Sequence, residues 1–521
     1  MQTVNSTSRR RHVAFAAVVV TCVSAACLAA AELLLRHIDG YRLSSIRLVR
    51  LPSPNGVDEP FREKWVDPQE TTDYVRRFEV SAGVDPSWYW LSPPRYPKTP
   101  VDRDLLDRMN GHPQAQLPSV YVWNVRYARR AICTDKPRDE AVFSRLSSLF
   151  LFHSTSGPFP SYRFVRSAHY PTGLHTNNFG WRGRDIALRK PAGTVRIAFL
   201  GASTTAAAHS EPYSYPELVE RWLNRWAESR QYSIAFESIV GAREGIDSKS
   251  ITALARDEVL PVDPDVAVYY EGSNQFWPSG FVKGVVESRP LDTLQPWRGP
   301  LDPYLVISRR MHRVRAALGL EGGEPKKPPL VVEWPKDLSE ADPDLADPRL
   351  PVDLPQILSD LDKIRHALAQ QGAELILTSF NWLVYDGLVL NRQRDEMLYE
   401  YLNGSLGGFS YAHLRRYADF QNRVFAKYAR VHALDFIDFA AAYPRDPRLF
   451  YDPIHMTTAG IRLQAWVMFN RLVPLIERRL AAHRLPRGPV VDLEAHPAFA
   501  ESDRRTTPTS EIRAACALSD D

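Results

Sequence analysis

The sequence predicts a three-layer α/β/α domain built on a parallel sheet, behind an irregular N-terminal region and an N-terminal membrane helix. Three observations carry this. Short apolar runs that stop abruptly read as buried strands, helical patterns alternate with them, and a charge-free stretch near the N-terminus is long enough to cross a bilayer.

Arg9, Arg10 and Arg11 precede a run from Val13 to Ala31 without a charged residue. Basic residues stay on the cytoplasmic side, so the segment 1–38 reads as a single-pass signal anchor in the inner (cytoplasmic) membrane. The remainder is then exported, to the periplasm or the exterior. Two other readings stay open: a signal peptide cleaved in the alanine-rich stretch before Glu32, and lipid attachment at Cys22 or Cys27, whose preceding residues fit a lipobox poorly.

Residues 39–175 are rich in proline, tryptophan, tyrosine and arginine and hold no sustained period, so they read as irregular. Trp88, Tyr89 and Trp90 either pack over the main domain or line a substrate groove. The main domain follows, over 176–485.

Its first strand is the run Val195 to Leu200, ending at Gly201. Further strands are expected at Ser233–Ile239, Asp265–Tyr270, Glu374–Ser379 and Ala433–Ile437, with helices at Tyr215–Ala227, Ser248–Glu258, Leu354–Gln371 and Leu414–Arg430. In such sheets ligands bind beyond the carboxyl ends of the strands. A proline- and charge-rich stretch at about 288–355 interrupts the alternation and reads as an insertion, either a solvated loop or a lid. Residues 486–521 form a peripheral tail.

Bulk composition narrows the function classes. At 521 residues and 44% hydrophobic content a sizeable core is available. The 65 basic and 61 acidic residues give a formal charge of +4, which supplies no argument for nucleic-acid binding. The four cysteines, Cys22, Cys27, Cys133 and Cys516, form no CxxC pair, and a structural zinc is not expected; only Cys133 and Cys516 are left as candidates for a disulfide in an exported domain, and whether they pair stays open. Neither a dinucleotide fingerprint nor a phosphate loop stands at a strand end.

Four strand-end segments carry chemistry. Gly201-Ala-Ser-Thr-Thr205 puts Ser203 on a strand-to-helix turn, where amide donors favour developing negative charge; a helix cap is the alternative. Thr205 ends the segment where the G-x-S-x-G elbow has glycine. Gly245, in Gly241-Ala-Arg-Glu-Gly-Ile-Asp-Ser248, can offer its N–H to an oxyanion, although Gly241 shares the loop. Asn274, in Glu271-Gly-Ser-Asn-Gln275, can offer its amide. Asp452 stands three residues before His455, so it can orient an imidazole that takes the serine proton.

In order and context these blocks resemble the SGNH/GDSL hydrolases, whose blocks supply serine, glycine, asparagine and histidine in turn. The resemblance covers about 177–479 and includes the lead-in Thr176-Asn-Asn-Phe-Gly-Trp-Arg-Gly183. It implies a flavodoxin-like sheet, with Ser203 as nucleophile, His455 as base and Asp452 as its orienter. It also implies an oxyanion hole of the Ser203 and Gly245 amides with the Asn274 side chain. Two departures are the first block, Gly-Ala-Ser-Thr rather than Gly-Asp-Ser, and Gln275 where aspartate is usual.

The expected activity is a serine esterase needing no metal or organic cofactor, with esters, such as O-acylated envelope glycans or lipids, as substrates. O-acyl transfer through the same acyl-enzyme is the alternative. A catalytically silent envelope module is the alternative from another class. The membrane is the expected partner of the first helix, and protein partners are not specified.

Overall fold

The computed structural model describes residues 4–38, 68–94, 175–207, 213–243, 245–274, 304–318, 334–390 and 411–488, with short pieces at 43–44, 150–152, 162–164, 282–285, 301, 330–332, 395, 398 and 402. In chain order the elements are α1 (Val4–Ile38), α2 (Pro68–Arg77), β1 (Phe150–Phe152), β2 (Tyr162–Phe164), β3 (Thr194–Gly201), α3 (Ser203–Ala206), α4 (Tyr215–Ser229), β4 (Ala235–Ala242), α5 (Ser248–Leu254) and β5 (Val266–Tyr270). There follow β6 (Val282–Val285), α6 (Val306–Ala317), β7 (Leu330–Val332), α7 (Leu354–Gln370), β8 (Glu374–Thr378), α8 (Tyr411–Val431), β9 (Asp435–Ile437), α9 (Phe439–Ala442) and α10 (Thr458–Ala481).

Five strands form one parallel sheet in the order β4-β3-β5-β8-β9. The first strand of the sheet thus lies between its second and third, which is the flavodoxin-like order. Successive side chains of a strand point to opposite faces. In β3, Val195, Ile197 and Phe199 enter a core with α4 and α10, whereas Ala198 and Leu200 enter a core with α5, α7 and α8. Both faces are therefore covered, and the strands read as continuous apolar runs.

The expected elements fall in place with shifted ends. β4 begins two residues later than its apolar run and extends to Ala242, because Ser233 and Ile234 belong to the connection after α4. The regular helix α5 stops at Leu254 rather than Glu258; a wider π turn spans Ala255–Val259 and a tight turn Leu260–Val262 follows. Pro261 has no N–H to continue a regular helix there.

Residues 68–94 carry local order within the N-terminal region. Residues 68–77 form α2, and Asp85 caps a tight turn over Pro86–Trp90 by accepting the Ser87 N–H at 2.8 Å. Tyr89 is fully buried, with its ring 6.3 Å from Trp222 and 5.6 Å from Trp466, and Trp222 Nε1 donates to the Trp88 carbonyl at 2.9 Å. Trp88 and Tyr89 thus pack on α4 and α10, while Trp90 stays exposed. Cys133, Cys516, Gln275 and the tail beyond 488 lie outside the described residues.

Helix α1 is continuous for 35 residues, and its stretch Arg11–Ile38 is long and apolar enough to cross a membrane. Cys22 and Cys27 are free thiols on its exposed surface.

Candidate active site

The parallel register brings three strand ends level, since Gly201 of β3 pairs with Ala242 of β4 on one side and with Tyr270 of β5 on the other. The sheet order reverses at this point, the place where open parallel sheets bind their ligands. Three of the four segments singled out in the sequence leave the sheet here. Gly201 is needed for close approach: a Cβ would stand 2.2 Å from Thr205 Oγ1 and 2.6 Å from the Tyr270 carbonyl.

Ser203 is the first residue of α3. The cap position falls to Ala202, which has no side-chain acceptor, and the Ser203 hydroxyl instead meets His455 Nε2 at 2.8 Å. On the far side of the ring, Nδ1 lies 2.6 Å from Asp452 Oδ2. The partners assign the tautomer: Nδ1–H donates to the carboxylate and Nε2 accepts from the serine.

The loop that brings Asp452 and His455 together is closed on itself. Phe450 and Met456 form an antiparallel bridge, the Tyr451 N–H donates to the His455 carbonyl at 2.8 Å, and the Thr457 N–H donates to the Leu449 carbonyl at 2.9 Å. Asp452 Oδ1 accepts the backbone N–H groups of Ile454 (2.9 Å) and His455 (2.8 Å). Burial by itself would raise the Asp452 pKa, but the charge and hydrogen bond of His455 and these two amides outweigh it and hold the carboxyl below its usual range. Asp452 is 2% exposed and Ser203 8%, so the relay opens to solvent mainly through the partly exposed imidazole.

The two candidate glycines separate clearly. Gly241 lies within the strand, where a Cβ would stand 2.9 Å from Val259 and 3.0 Å from Leu200. Gly245 lies in the exposed loop with φ +72° and open space around its Cβ position, so backbone conformation rather than room calls for glycine. Asn274 Nδ2 donates one hydrogen to the Ile246 carbonyl at 2.9 Å, which ties the β5 turn to the Gly245 loop. An amide nitrogen carries a second hydrogen that can serve a ligand.

Glu271 was passed over in the sequence, and it organises this turn. Its Oε1 accepts from the Ser273 N–H (2.6 Å), the Ser273 hydroxyl (3.1 Å) and the Asn274 N–H (2.9 Å). Burial pushes its carboxyl above the usual range, with the amides of Asn274, Ser273 and Gly272 opposing. Its position at a strand end, immediately before a glycine-containing turn, was the available signal.

Arg182, from the lead-in, is a second such residue. It is buried, its Nε donates to Glu217 Oε2 at 2.8 Å, and its guanidinium bonds the Ala207 carbonyl just after α3. Glu217 also accepts from Ser214 at the start of α4. The short helix that carries Ser203 is thereby braced from behind. Among the described residues no group of three or more His, Cys, Asp or Glu is placed to hold a metal ion.

Neither a family model nor a curated protein sequence matches the chain. Among solved structures it is similar to a GDSL-like lipase from Bacteroides thetaiotaomicron at 11% identity, covering 54% of this chain and 88% of that one, with a TM-score of 0.26. It is also similar to an acetylxylan esterase from Geobacillus stearothermophilus at 13% identity, 54% and 94% coverage and TM-score 0.30. An acetyl xylan esterase matches at 16% identity, 54% and 100% coverage and TM-score 0.29. At such scores these likenesses carry no argument about activity.

Proposed function

We propose that the chain is a serine-dependent ester hydrolase of the SGNH/GDSL type, held at the membrane by α1 with its sheet domain exported. The observation that carries this reading is the contact chain from Ser203 Oγ to His455 Nε2 (2.8 Å) and from His455 Nδ1 to Asp452 Oδ2 (2.6 Å). It stands at the reversal point of a parallel sheet.

In the proposed cycle His455 removes the Ser203 proton as the oxygen attacks an ester carbonyl. The oxyanion is met by the amides of Ser203 and Gly245 and by the second hydrogen of Asn274 Nδ2. Collapse breaks the bond to the leaving alkoxide, which takes the proton from the imidazolium and leaves an acyl-serine. Water, deprotonated by the now neutral His455, attacks the acyl carbon, and the acid leaves as Ser203 regains its proton. Asp452 holds the ring and stabilises its charged form throughout.

A membrane position places the site near O-acylated glycans and lipids, which are the proposed substrates. A sugar hydroxyl in place of water would make the same acyl-enzyme a transferase. The test is hydrolysis of p-nitrophenyl acetate by the full chain and by Ser203→Ala. Hydrolysis lost in a variant with an unchanged melting temperature supports the reading, and hydrolysis retained refutes it.

A further inference from the structure

Helix α6 belongs to the 288–355 stretch, yet it is pinned to α1. The first N–H groups of a helix have no partner within it. In α6 those of Val306 and Ile307 donate to the two carboxylate oxygens of Glu32, at 2.9 and 3.0 Å. Arg36 Nε holds the same carboxylate at 2.8 Å, and Arg36 also donates to the Tyr304 carbonyl at 2.6 Å. Val306 is buried against Leu35. The start of α6 is thus fixed to the last two turns of α1.

That junction has a definite depth. The 19 residues from Val13 to Ala31 rise about 28 Å at ~1.5 Å per residue, close to the ~30 Å of a bilayer's hydrocarbon. Glu32 therefore stands where α1 leaves the hydrocarbon, and α6 begins beside it. Met311, Val314 and Leu318 follow at helical spacing on one side of α6 and are 56%, 53% and 66% exposed; Leu301 and Tyr304, just ahead of the helix, are also exposed. The α6 sequence carries Arg309, Arg310, Arg313 and Arg315 and no acidic residue. An apolar stripe with a basic complement is the pattern of a helix lying in an anionic lipid interface.

We infer that α6 lies on the exported leaflet of the membrane that α1 crosses, with Met311, Val314 and Leu318 dipping among phospholipid chains and the basic sequence of the helix suiting an anionic surface. This rests on the reading of α1 as a membrane span. The consequence is a second attachment that restrains the sheet domain relative to the membrane, where a single helix would leave it free to swing.

The test uses the full chain, with its four cysteines replaced by serine, in bilayers of phosphatidylglycerol and phosphatidylcholine. A bimane fluorophore is placed by Val20→Cys, Val314→Cys, Leu318→Cys or Val389→Cys, and quenching by nitroxide-bearing lipid is measured. Quenching is expected at 20, 314 and 318 and not at 389, which is exposed between β8 and α8. Removing the phosphatidylglycerol is expected to weaken quenching at 314 and 318 and leave it unchanged at 20. Quenching at 20 with none at 314 and 318 overturns the inference and leaves the span standing. No quenching at 20 overturns the span reading, and this inference with it. Disulfide cross-linking of two copies through Leu318→Cys without quenching assigns the stripe to a second copy and also overturns it.

Discussion

The Ser203 hydroxyl and Nε2 of His455 lie 2.8 Å apart although 252 positions separate them in the chain. One sits where β3 ends and the other in the closed loop before α10, which reaches back across the strand ends from β9 at the sheet's far edge. Several consequences are open to measurement.

Asp452→Asn should leave Ser203 and His455 in place but remove the charge that orients the ring. A fall in kcat on the order of 10⁴-fold is expected with an activated ester. Because the folded carboxyl titrates below its unfolded value, its contribution to stability is present above about pH 4 and is lost as pH falls through the folded pKa. Melting curves should therefore show wild type and variant converging in acid. A gap that stays constant with pH contradicts the assignment.

Asn274→Ala should lower kcat by about 10²–10³-fold, the usual consequence of losing one oxyanion donor. The variant also loses the bond to Ile246. Asn274→Asp, which keeps the shape but puts an acceptor where a donor is needed, should be at least as impaired. Steady-state kinetics with an unchanged kcat in either variant would remove Asn274 from the oxyanion hole.

Glu271→Gln retains an acceptor for the Ser273 and Asn274 N–H groups and cannot ionise. Burial raises the Glu271 pKa, so the wild type loses stability as pH rises from the unfolded value, about 4.3, through the higher folded one. The difference in melting temperature should swing toward the variant across that window. A pH-independent difference would contradict a buried, raised carboxyl.

Gly460→Ala probes the support of the His455 loop without touching a reacting group. A Cβ there would stand 2.3 Å from the Leu449 carbonyl and 2.9 Å from Met456 Cβ. A loss of about 1–3 kcal/mol in denaturant unfolding is expected, as for other overpacked sites, together with a lower kcat. Wild-type stability and activity would show that the loop has more room than these contacts allow.

Much of this architecture was legible beforehand because buried parallel strands advertise themselves as apolar runs. Val195–Leu200 and Val266–Tyr270 could hardly be anything else, and Ser203, Gly245 and Asn274 each follow a buried strand, whereas Asp452 and His455 precede the helix α10. What stayed hidden depends on partners distant in the chain. Glu271 looks like any acidic turn residue until its amide partners are known, and Arg182 looks like a surface arginine until Glu217 is found 35 positions away. The pairing of Glu32 with the start of α6, across 274 positions, left no mark in local periodicity. The packing of residues 68–94 was hidden for a related reason. Their aromatics follow no period of their own because they fill spaces between α4 and α10.

The most direct test is to treat the full chain with a fluorophosphonate probe and locate the adduct by peptide mass spectrometry. A single adduct on Ser203, absent from both Ser203→Ala and His455→Ala, is the expected result. A folded wild-type chain that stays unlabelled, or labelling at Ser203 that persists when His455 is replaced, would contradict the proposed nucleophile and base.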